Sequence, residues 1–123
     1  NIMADNTAGQ TRTVSNDQST AGGFAAGKIV YDGTTITATD YTRVETGFQP
    51  RFVQWENFTD RIKVEWQEGM TTSQCLKTVA AGTRTLDTTA LAVVVDSKGF
   101  RILQDATLAA IFAGKTCYWR AYG

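Results

Sequence analysis

Residues 51–70, RFVQWENFTDRIKVEWQEGM, alternate apolar and polar side chains on both sides of a short polar break. Val53, Trp55, Ile62, Val64 and Trp66 carry the apolar beat, with Gln54, Glu56, Lys63 and Glu65 between them. A period of two belongs to a strand with one face buried. A one-residue slip would move every side chain to the wrong face, so the pattern constrains the fold strongly. The two halves read as an antiparallel hairpin turning at Phe58–Thr59. That turn pairs Asn57 with Asp60, Glu56 with Arg61, Trp55 with Ile62, Gln54 with Lys63 and Val53 with Val64. The tryptophans then belong to a core. Gln54, Glu56, Arg61, Lys63 and Glu65 form a solvated or partner-facing surface.

The rest of the chain is punctuated in the same way. Lys28–Tyr31 reads as a strand, Asp32–Gly33 as a hairpin turn and Thr34–Thr39 as the return. Arg43–Thr46 is a short strand closed by Gly47, and Pro50 stands at the entry to the next one. Leu76–Ala80 and Thr83–Leu86 flank Ala81–Gly82. Leu91–Val95 is nearly all apolar and reads as a strand buried on both faces, followed by a turn at Ser97–Gly99 and a return over Phe100–Leu103. Asp105 is placed to cap a short helix running through Phe112 and ended by Gly114. In Lys115–Tyr122, Cys117, Trp119 and Ala121 face one way and Tyr118, Arg120 and Tyr122 the other. About eight short strands with frequent turns predict an all-β sandwich or barrel-like domain over residues 23–123. Residues 1–22 are polar and aperiodic, and predict an extended or disordered N-terminal arm.

Composition removes many chemistries. The chain has no histidine, which excludes Ser-His-Asp and Cys-His catalysis and imidazole metal ligands. Twelve basic residues balance twelve acidic ones, so no basic excess points to nucleic acid. No apolar run reaches the length of a membrane span, and the first twenty residues lack the apolar core of a signal peptide. Cys75 and Cys117 are too far apart for a CxxC element, and sequence leaves open a disulfide or two free thiols. No metal or cofactor is expected. Paired carboxylates can hydrolyse glycosides without histidine. Here Glu56, Glu65, Glu68 and Asp60 lie among basic residues, which favours a salt-laced sheet face over a catalytic pair, so the chain is not expected to be an enzyme. A sugar-stacking platform is a further alternative, for which Tyr118 and Tyr122 suit better than the in-phase tryptophans.

The strings GFQPRFVQWENFTDRIKVEWQEGM, LKTVAAGTRTL, DSKGFRI and YWRAYG, in that order over residues 47–123, resemble small virion-associated proteins of tailed double-stranded DNA bacteriophages. The resemblance implies a structural component of the particle, foremost a capsid decoration or cement protein. Such a protein is made in the host bacterial cytoplasm and ends on the capsid surface. Its partners would be the major capsid protein and its own copies, as a dimer or trimer. A tail or fibre-associated protein and a carbohydrate-binding module for host attachment are the alternatives. Expected contacts are Glu56, Arg61, Lys63 and Glu65 on the hairpin, with Arg12 and Val14 on the arm.

Overall fold

The computed structural model describes residues 10–11, 23–33, 40–71, 74–88, 91–104, 108–109 and 114–123. A two-residue strand, β1 (Gln10–Thr11), precedes nine others: β2 (Phe24–Tyr31), β3 (Tyr41–Glu45), β4 (Phe52–Asn57), β5 (Ile62–Gln67), β6 (Cys75–Thr78), β7 (Arg84–Asp87), β8 (Val93–Asp96), β9 (Gly99–Leu103) and β10 (Thr116–Tyr122). They form two antiparallel sheets, a large one in the order β1-β2-β10-β4-β5-β6-β7 and a small one in the order β3-β9-β8. The described residues are all-β and sandwich-like, as the alternation predicts.

The core lies where the inner faces of the two sheets meet. β10 shows the logic most plainly: Cys117, Trp119 and Ala121 are buried, whereas Tyr118, Arg120 and Tyr122 are exposed. Phe100 of the small sheet is edge-on to Trp55 (6.4 Å, 80°) and to Trp119 (5.7 Å, 70°), a geometry favoured by the ring quadrupoles. Trp119 also explains Gly27, its register partner on β2. A Cβ at that position would stand 2.7 Å from the indole. A buried polar chain links the sheets: the Tyr31 hydroxyl meets Thr42 Oγ1 at 2.5 Å, and Thr42 donates to Gln104 Oε1 at 3.0 Å. The single Thr42 proton is committed to Gln104, so Tyr31 is the donor in the first bond.

The β4–β5 hairpin corrects the expected register. Asn57 faces Ile62, Glu56 faces Lys63, Trp55 faces Val64, Gln54 faces Glu65 and Val53 faces Trp66. The turn spans four residues, not two. Asn57 builds it, accepting the Asp60 N–H at 3.0 Å and donating to the Asp60 carboxylate and the Ala109 carbonyl, each at 2.9 Å. Arg61 closes the turn with φ 58° and lies outside the strands, so it does not pair with Glu56. The offset is two residues, an even number, so each side chain keeps its expected face while its partner changes.

Other differences are local. The last apolar strand begins at Val93 rather than Leu91, and it is not buried on both faces: Val94 and Val95 are half-buried and Leu91 is exposed. β8 is an edge strand of the small sheet, and the core covers only one of its faces. By contrast β3 is buried over Tyr41–Val44. Arg43 is nearly buried there because Asp96 receives it through two bonds of 2.7 and 3.0 Å. The return strand over Thr34–Thr39 lies outside the described residues, as does the helix from Asp105 through Phe112 apart from Leu108 and Ala109, which are buried in a turn.

Both cysteines are free and buried. Cys117 on β10 and Cys75 on β6 are separated by β4 and β5, so about 14 Å of sheet lies between them, beyond disulfide reach. Burial pushes both thiols up to about 12, so they stay protonated and unreactive. The Trp55 indole N–H lies against Cys117 and meets no other acceptor among the described residues.

Burial raises the Asp96 carboxyl, but the Arg43 bonds and the Lys98 and Gly99 N–H groups outweigh it and hold the group below the usual carboxylate value. A depressed folded-state pKa stabilises above the unfolded value of about 3.9 and loses that stabilisation as pH falls through the folded value. Asp96→Asn is therefore expected to cost about 2 kcal/mol at pH 7, discounted for the partial exposure of Asp96. The gap from wild type should narrow below about pH 4, as read by thermal melts from neutral to acid pH. A gap independent of pH would remove the ion pair as its cause.

Candidate binding surfaces on the large sheet

The register of six neighbouring strands, β2, β10, β4, β5, β6 and β7, sets the outward side chains in rows across the large sheet. One row reads Phe24, Tyr122, Phe52 and Gln67. The next reads Ala26, Arg120, Gln54, Glu65, Leu76 and Leu86. The third reads Lys28, Tyr118, Glu56, Lys63, Thr78 and Arg84. The first row is aromatic, with Tyr122 tilted against Phe24 at 5.1 Å and against Phe52 at 5.6 Å. Tyr118 in the third row is tilted against Phe58 at 4.3 Å, and the Lys28 ammonium lies 5.7 Å from the Tyr118 ring centre. Phe24, Phe58, Leu86, Tyr118 and Tyr122 are all exposed. Scattered apolar residues on a surface are ordinary; these gather on one sheet face, with Phe58 in the turn beside it, and make that face the candidate binding surface.

Two regions stand out. A groove of about 640 Å³ runs over β2, β10 and β4, lined by Ala26, Gly27, Lys28, Gln54, Glu56, Phe58, Tyr118, Trp119 and Arg120. It forms because Ala26 is small where its outward neighbours Lys28, Tyr118 and Arg120 are large. At the other end, β7 closes the sheet with Arg84, Thr85 and Leu86 exposed, and no described strand pairs with its outer edge.

Of the expected contact residues, Glu56, Lys63 and Glu65 share this outer face. Arg61 sits exposed at the end of the turn. Arg12 and Val14 lie outside the described residues. The acidic residues stand next to cations: Glu65 is 3.7 Å from Arg84, Glu68 2.9 Å from Arg51 and Asp60 3.0 Å from Lys115. The Lys115 hydrogen bond is the largest influence holding the Asp60 carboxyl below its ordinary value, against a smaller opposing effect of burial. Asp60, held low in this way, is not the raised-pKa acid that glycoside hydrolysis needs. No group of three His, Cys, Asp or Glu side chains suited to a metal occurs among the described residues, and no described helix is long and apolar enough to cross a membrane.

Tyr118 and Tyr122 are legible as outward residues from the alternation of β10. Phe24, Lys28, Phe52 and Phe58 are not legible as their companions, because β2 and β4 reach β10 from distant parts of the chain. No family model, curated protein or solved structure matches the sequence.

Proposed function

We propose that the protein is a structural component of a tailed double-stranded DNA phage particle, a decoration protein that binds the outer shell and bridges neighbouring major capsid subunits. The observation that carries the docking mode is the outer β7 edge, with which no described strand pairs, and where Leu86 is 52% exposed beside the charged array of Lys63, Glu65 and Arg84. An edge strand offers its free backbone groups to a strand of a partner, and flanking charges fix the register. At the opposite edge Gln10–Thr11 pairs with Val30 and Tyr31, which supports an N-terminal segment that engages sheet edges through its main chain. The resemblance of residues 47–123 to virion-associated proteins supplies the setting. Many copies, assembled as dimers or trimers, multiply a modest affinity per copy by avidity.

The test uses purified shells that lack the protein. The intact chain is expected to bind saturably, at a fixed ratio to the capsid subunit, and to raise the temperature at which shells open. Deleting residues 1–21 or introducing Leu86→Glu should each weaken binding by roughly tenfold or more. Shells that bind nothing, or that bind Leu86→Glu as tightly as wild type, would overturn the proposal.

A further inference from the structure

We propose that the groove over β2, β10 and β4 is a carbohydrate-binding site that takes a pyranose oligosaccharide, independently of shell docking at β7. A pyranose has an apolar face of C–H groups and a rim of hydroxyls. A site for it needs an exposed ring face beside planar polar groups that can both donate and accept. The groove holds this combination. Tyr118 and Phe58 supply the rings, and the Gln54 amide, Glu56 carboxylate and Arg120 guanidinium stand in the two adjoining rows of the same face. Ala26 leaves the floor low between them. The volume of about 640 Å³ falls within the roughly 300–1,000 Å³ of small-ligand sites.

Other occupants fit less well. β10 is hydrogen-bonded to β2 on one side and β4 on the other, so an extended peptide finds no free backbone to pair with here. A polyanion such as nucleic acid calls for a cationic excess, whereas Glu56 stands among Lys28 and Arg120 and the chain has zero net charge. A second copy related by a two-fold axis would set one concave groove over another and leave a void between them. Tyrosine anchors also suit a ligand held from one side, since their hydroxyls stay in water while their rings are covered.

The probes are soluble hexasaccharides of glucose, N-acetylglucosamine, galactose, mannose and galacturonic acid, titrated into the intact protein by calorimetry and by intrinsic fluorescence. At least one is expected to bind at micromolar to millimolar concentration with a change in tyrosine or tryptophan emission. Tyr118→Ala and Gln54→Ala should each weaken that binding by roughly tenfold. Tyr118→Phe should retain most of it, and Leu86→Glu should leave it unchanged. Both groove positions point outward, so unchanged melting temperatures would confirm that the variants fold. Absence of binding across the panel would overturn the proposal. So would binding that Tyr118→Ala leaves intact, or loss of shell binding in the groove variants without any sugar binding.

Discussion

Gly99→Ala is expected to lower the melting temperature by about 10 °C or more. Gly99 opens β9 opposite Glu45 of β3 and is buried. A Cβ there would land on the Val44 carbonyl oxygen and stand 2.9 Å from the Glu45 Cα. Both are backbone atoms of the adjacent strand, so no rotamer change relieves the clash. The small sheet would have to part at β3–β9, where Val44 and Phe100 enter the core. Overpacking of this kind costs about 3 kcal/mol or more, and a domain of this size loses about 3–5 °C per kcal/mol. Differential scanning calorimetry of the purified variant checks it. A melting temperature within about 2 °C of wild type would mean that the two strands are not this close.

Trp55→Ala should be the most damaging truncation in the core, at about 4 kcal/mol. Its side chain is fully buried, packs edge-on against Phe100 and faces Val64 and Trp119 across the register. Tyr118→Ala, on the other side of the same sheet, should cost less than about 1 kcal/mol. Urea unfolding of both variants measures the contrast directly. Comparable losses would mean that the tryptophans and the outward tyrosines do not divide into core and surface as the burial pattern indicates.

That division was legible from the sequence because alternation reports which face a residue takes, whatever its partner. Trp55, Trp66 and Trp119 followed the beat of their β-branched and small neighbours, and all three are buried. Register was less legible. The β4–β5 turn depends on bonds from Asn57 to Asp60 and to Ala109, and the second of these comes from a loop more than fifty residues away. The burial of Arg43 is not legible for the same reason, since Asp96 lies on a distant strand. The groove was half legible: β10 announced Tyr118, Arg120 and Tyr122 as outward, but only the strand order brings Ala26, Lys28, Gln54 and Glu56 beside them.

The most direct test of the proposed role is a cryo-EM reconstruction of the phage particle that the proposal expects to carry this protein. The proposed role predicts the β-domain repeated on the outer shell at a fixed ratio to the capsid subunit, with the β7 edge against the shell and the groove of Tyr118 and Arg120 turned to solvent. A bare shell with the domain on the tail, or a domain seated on the shell through the groove, would contradict it.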